Sequence, residues 1–142
     1  MKSGKWIADI CAMCLVFLFV YTATSKLFQF NLFRWQLEGF PWIGRMGNVL
    51  AWMVPAVELA AAGLLLIRRR RITGFYVSLI LMVLFTIYLA LMLGTQTHLP
   101  CSCGGVIGKM TWRQHLVFNL FFTGISITGL VYSPPKIKFY AT

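Results

Sequence analysis

Charge is what this 142-residue chain has least of: 11% of its residues are Asp, Glu, Lys or Arg, against 59% hydrophobic. With a mean hydropathy of +0.78, that scarcity excludes a soluble globular domain and places the chain in a lipid bilayer. An internal repeat and a low-complexity linker are also missing, which leaves residues 1–142 as one integral membrane domain. A hydrocarbon core of roughly 30 Å takes about 20 apolar residues per helix. Four runs meet that requirement, at about residues 6–24, 48–67, 73–93 and 115–132. The expected fold is therefore all-α, a four-transmembrane-helix bundle. Lys2 and Lys5 ahead of the first run give it the look of a signal peptide. Asp9 within the segment, its length, and the three-span remnant that cleavage would leave all argue for an uncleaved first helix.

Acid is scarcer still. Asp9, Glu38 and Glu58 stand against thirteen Lys and Arg, for a net charge of +10. Topology and attraction to anionic lipid account for that excess, so nucleic-acid binding is not expected. Lys2, Lys5, Arg68, Arg69, Arg70, Arg71, Lys136 and Lys138 flank one side of the four runs; Lys26, Arg34, Arg45, Lys109 and Arg113 flank the other. The larger set, with its compact arginine block, predicts cytoplasmic termini and an exterior face formed by residues 25–47 and 94–114. In the first of these segments Phe30, Phe33, Leu37 and Phe40 recur at three- and four-residue spacing, with Arg34 and Glu38 between them. That pattern predicts a short amphipathic helix between spans 1 and 2, lying in the membrane interface and ended by Pro41 and Gly44. Trp35, Trp42 and Trp52 are expected at headgroup depth, and Trp6 and Trp112 likewise at other span ends, where tryptophan anchors membrane proteins.

Of four cysteines, two form Cys101-Ser102-Cys103-Gly104-Gly105 in the last exterior segment, near His98 and Pro100. A disulfide closed across a single residue is a small, strained ring, and strained exposed disulfides exchange more readily than structural ones. Lys109, Arg113 and the start of the fourth helix are close in sequence and would favour the thiolate. On the exterior side such thiols can be oxidised. The same sulfurs with His98 and His115 make an alternative, a tetrahedral zinc site, but Cys-x-Cys is short for zinc and His115 begins a membrane helix. Cys11 and Cys14, a turn apart in the cytoplasmic half of the first span, lie some 20 Å or more from the exterior loop and read as buried small hydrophobes. Glu58 is the one carboxylate deep in a span, with Tyr21, Ser25, Lys26, Tyr88 and Asn119 as candidate partners. Such an acid either ties helices together or serves a proton or ligand role. Asp9, near the cytoplasmic interface, offsets neighbouring cations.

Five motifs then occur in order: Tyr21-x3-Ser25-Lys26-Leu27, Val54-Pro55-x2-Glu58, Phe85-Thr86-x-Tyr88, Cys101-Ser102-Cys103-Gly104-Gly105 and Trp112-x2-His115-Leu116-x2-Asn119. Together they resemble the DoxX-like superfamily and, within it, the redox-associated membrane proteins typified by the methylamine utilisation protein MauE. The resemblance covers about residues 6–132, and the Cys-x-Cys-Gly loop is its most specific part. It implies a four-helix bundle of the bacterial inner membrane that forms or transfers disulfides on an exported protein or peptide thiol partner. Cys101 and Cys103 would be the redox pair, and Glu58, Lys26, Asn119, His115 and Tyr21 the supporting residues. It also implies some likeness to quinone-linked thiol oxidases, and leaves coupling to a membrane quinone and a hetero-complex with other membrane proteins open. Those oxidases use two exterior cysteine pairs; the one pair here favours electron exchange through a partner. A competing expectation is a non-catalytic scaffold that matures a specific exported polypeptide.

Overall fold

A computed structural model describes residues 2–40, 42–95 and 111–133. Among them are five α-helices and no strand: α1 (Lys2–Phe28), α2 (Phe30–Glu38), α3 (Gly47–Leu66), α4 (Arg71–Thr95) and α5 (Trp112–Tyr132), with a 3₁₀ turn at Gly44–Met46 before α3. His98, Cys101, Cys103 and Pro41 lie outside the described residues. α1, α3, α4 and α5 are each long and apolar enough to cross a bilayer. The chain is thus the four-helix, multi-pass membrane protein that its hydropathy predicts.

The long helices form a ring in chain order: α1 packs on α3 and α5, and α4 packs on α3 and α5. The connection between α3 and α4, residues 67–70, is short, as between antiparallel neighbours of a bundle. α1, α4 and α5 run past the apolar segments that announce them, α1 most of all. Lys26, beyond the apolar run, is in the last turn of α1.

Lipid is as apolar as leucine, so contact between the helices depends on close packing. Small residues supply it: Ala8, Ala12, Ala23, Ala51, Ala61, Ala62, Ser78 and Ser126 are all buried. The core they admit centres on Leu15, Phe19, Leu65 and Phe75, none of which is exposed at all. Buried hydroxyls bond back along their own helices, Ser78 to the Gly74 carbonyl at 2.7 Å and Ser126 to that of Phe122 at 3.1 Å.

At the arginine-rich end, Arg71 donates through Nη1 to Asp9 Oδ1 and through Nε to the Leu65 carbonyl at 3.2 Å. One side chain thereby joins the starts of α1 and α4 to the end of α3, and Asp9 does offset a neighbouring cation.

α2 differs from expectation in what covers it. Its stripe does not face lipid: Phe33 and Leu37 are buried against Ala51 of α3, with Phe30, Leu50 and Val54 beside them. The opposite face carries an exposed Arg34–Glu38 pair at 3.3 Å, whose contribution at the surface is small. Phe40, just past α2, reaches Tyr88 of α4 with ring centroids 5.9 Å apart. The short helix therefore caps one end of the bundle.

Close packing makes one position intolerant. A Cβ on Gly129 would stand 2.2 Å from Cε1 of the fully buried Phe75 ring, whereas one on Gly124 meets nothing within 4 Å. Gly129→Ala should destabilise the purified protein by about 1–3 kcal/mol through overpacking, while Gly124→Ala should be neutral or slightly stabilising. Thermal unfolding in one detergent compares them; equal midpoints would mean that the ring moves aside freely.

Candidate functional site

Thr22 and Lys26 are four residues apart on α1 and so share a face of the helix. That face is turned to Glu58, near the middle of α3. Lys26 Nζ lies 2.6 Å from Glu58 Oε1, and the Thr22 hydroxyl donates to the same oxygen at 3.3 Å. Lys26 is 5% exposed and Glu58 not at all. The ammonium also stands 5.8 Å from the ring centre of Phe33 on α2 and 5.0 Å from that of Phe85 on α4, where ring faces favour a cation. Among the described residues, no donor reaches Glu58 Oε2.

A second polar group joins α5 to α4. Asn119 Nδ2 donates to the Met82 carbonyl at 2.9 Å and to Thr86 Oγ1 at 2.7 Å, while the Thr86 hydroxyl itself donates to the Met82 carbonyl at 2.7 Å. His115, one turn before Asn119, is also buried. α5 starts with a capping box in which Thr111 Oγ1 accepts from the Gln114 amide at 3.3 Å and the Gln114 side chain accepts from the Thr111 amide at 3.1 Å.

The two groups line one cavity of about 670 Å³. Its wall is otherwise almost entirely apolar, with Phe33 and Leu37 from α2, Phe40 just past it, Val54 and Val57 from α3, and Phe85 from α4. Pockets of this size hold small molecules, and a few polar groups in an apolar wall are their usual lining.

Of the seven residues that the sequence singles out for the site, Lys26, Glu58, His115 and Asn119 thus meet around one space. Tyr21 does not. It lines a separate groove of about 780 Å³ between α1 and α5, together with Trp6, Asp9, Cys14, Phe17 and Phe118. Consecutive helical positions point about 100° apart, so with Thr22 turned to Glu58, Tyr21 looks elsewhere. Cys101 and Cys103 lie outside the described residues, as does His98 of the alternative zinc set. Among the described residues, no three His, Cys, Asp or Glu side chains come together as metal ligands.

Two features were not foreseen from sequence. Thr22 had no motif of its own, although its i, i+4 relation to Lys26 was readable. Cys14 corrects the expectation that both first-span thiols are buried: Cys11 is buried and Cys14 is exposed in the groove. The buried stripe of α1 runs through Ala8, Cys11, Leu15 and Leu18, and position 14 falls a step outside it.

The buried pair makes a strong prediction. Removing one member of a buried ion pair costs about 3–5 kcal/mol because the other charge is left uncompensated. Lys26→Met should therefore destabilise the protein severely, and Glu58→Gln added to it should recover most of the loss. A double-mutant cycle of unfolding free energies in detergent measures the coupling; additive effects would mean that the two groups do not interact.

The family model described as methylamine utilisation protein MauE matches residues 4–132 of the chain. No curated protein and no solved structure matches it.

Proposed function

The chain belongs to the family of methylamine utilisation protein MauE, and from that premise we propose that it is a membrane thiol–disulfide redox protein that matures an exported partner, with Cys101 and Cys103 as its exchanging pair. The observation that carries this reading is one of placement. The Cys-x-Cys segment connects α4 to α5, and these two helices contribute Phe85, Tyr88, His115 and Asn119 to the cavity that holds the Lys26–Glu58 pair. The likeness to DoxX-like redox proteins points the same way.

In the disulfide-delivering direction, a partner thiolate attacks one sulfur of the Cys101–Cys103 disulfide. A mixed disulfide forms and the other cysteine leaves as thiolate. The partner's second thiolate then attacks the mixed disulfide, completing the partner's bond and leaving Cys101 and Cys103 reduced. Two electrons and two protons have passed from partner to chain. Exchange of this kind needs an accessible thiolate and a strained or labile disulfide, and the one-residue spacing supplies the strain.

In this reading the protein sits in a bacterial inner membrane with both termini cytoplasmic and the cysteine loop outside. Arg68–Arg71 lies at the opposite end of the bundle from α2 and the end of α1, as the positive-inside rule would place it. A hetero-complex with other membrane proteins would bring the exported partner to the loop.

Cys101→Ser or Cys103→Ser should trap a mixed disulfide with an exported protein, identified by mass spectrometry after alkylation of intact cells. The double serine variant should leave that partner's disulfides incomplete. A pair found always reduced, with partner disulfides intact in the double variant, would sink the redox reading in favour of a scaffold. In a Cys11→Ala, Cys14→Ala background, a membrane-impermeant maleimide should label the reduced pair from outside. Labelling only after inner-side access would invert the topology.

A further inference from the structure

The redox reading leaves one conversion open: a pair that has delivered its disulfide must give up two electrons. Three properties of the cavity describe what it would accept. Its wall is apolar and rich in aromatic rings, so the body of an occupant must be apolar, and a flat ring suits it. It contains Glu58 Oε2, fully buried and without a donor among the described residues, so an occupant that donates a hydrogen bond is favoured over a pure hydrocarbon. Lys26 has three N–H donors, and the hydrogen bond it makes among the described residues goes to Glu58 Oε1, so an occupant with an acceptor is also served.

The way in is equally specific. Met53 of α3 and Ile80, Leu84 and Ile87 of α4 line the cavity and are each about half exposed on the outer surface of the bundle. In a membrane that surface faces lipid. The cavity is therefore reached sideways from the bilayer, between α3 and α4, and its occupant must be soluble in lipid.

Resting on the redox reading above, we propose that this cavity binds the ring of a membrane quinone, with Lys26 donating to a ring carbonyl of the oxidised form and Glu58 Oε2 accepting from a hydroxyl of the reduced form. The net conversion balances. Cys101 and Cys103 lose two protons and two electrons as their sulfurs join, and the two quinone carbonyl oxygens take them up to become the hydroxyls of the quinol. Among lipid-soluble molecules, a quinone couple combines a flat ring, an acceptor in one state, a donor in the other and a two-electron capacity. An isoprenoid alcohol has the donor but accepts no electrons. Glu58 and Lys26 are binding groups here, and the assignment concerns affinity for the ring in each state.

The test uses the full-length protein in nanodiscs, with decyl-tailed benzoquinone and its quinol as probes and empty nanodiscs as the partition control. Titration calorimetry should show saturable binding of one probe per chain. Glu58→Gln should weaken quinol binding at least about tenfold, the loss expected when a hydrogen bond to a charged group goes, and should weaken quinone binding less. Val54→Phe, which fills the cavity, should abolish binding of both. Leu120→Ala, on the lipid face of α5 and lining neither cavity nor groove, should change nothing. Size-exclusion profiles show whether each variant is folded, and either Glu58→Gln or Val54→Phe suffices if the other fails. Binding no greater than in empty nanodiscs, or wild-type affinity in Val54→Phe, overturns the proposal.

The Cys101→Ser, Cys103→Ser double variant separates the two readings, because the ring site contains neither sulfur. Probe binding retained there, with no mixed disulfide trapped in the single variants, would uphold the ring site and refute thiol exchange. A trapped partner with no probe binding would do the reverse.

Discussion

Lys26 and Glu58 make each other tolerable in this membrane. A single charged side chain at the centre of a transmembrane helix costs about 2.5–3.5 kcal/mol on the most lenient scale, whereas the pair, 2.6 Å apart, is neutral as a unit. That requirement sets how α1 lies against α3. Lys26 is two residues from the end of α1 and Glu58 eleven residues into α3, roughly 3 Å and 16 Å at 1.5 Å per residue. Even allowing for the reach of a lysine side chain, α1 must stop well short of the level at which α3 begins. The first turns of α3 would then lack a neighbour on that side, and α2 takes the place, burying Phe33 and Leu37 on Ala51 beside Leu50 and Val54. The ion pair thus accounts for the short helix that closes over it.

The two buried polar groups at the cavity differ in a way that separates structure from chemistry. Around Asn119 the side-chain amide donates to Met82 and Thr86, and the Thr86 hydroxyl is itself used, so the group ties α5 to α4. At Glu58 one oxygen has a cation and a hydroxyl while the other has no donor among the described residues. A buried network left half-satisfied is unfavourable for folding alone. Its place in an open apolar cavity, with an ammonium on two aromatic faces, is what a ligand would exploit. Proteins break local consistency of this kind at functional sites.

Much of this was readable from the residues, and what was not has a common cause. Hydropathy finds spans because about 20 apolar residues in a row have few other uses, so all four appear near their observed places. It cut α1 before Lys26, whose charge is cancelled by a residue 32 positions away. The period of Phe30, Phe33, Leu37 and Phe40 showed which residues share a face, but a period is silent on what covers that face; α3 does, where lipid was expected. Lys26 stood among the candidate partners of Glu58. Tyr21 stood in a motif and Thr22 did not, yet a helical step of one residue turns Thr22 to Glu58 and Tyr21 away. Cys14 shows the same limit, since a pair at i, i+3 straddled the edge of the buried stripe.

On the redox reading proposed above, the frame around the cysteine connection would let a fold this small hold its exchanging pair. Loops that work are held by rigid elements, and here each flank is fixed by polar contacts. Upstream, α4 is bound to α5 through Asn119 and to the cap through the Phe40–Tyr88 contact. Downstream, α5 begins at the Thr111–Gln114 capping box, which satisfies its first amides and sets where the helix starts, one turn before His115 enters the cavity wall. Between Thr95 and Thr111 the sequence can then be given over to glycine, proline and thiols, residues that would weaken a transmembrane helix, because the helices on either side are positioned without its help.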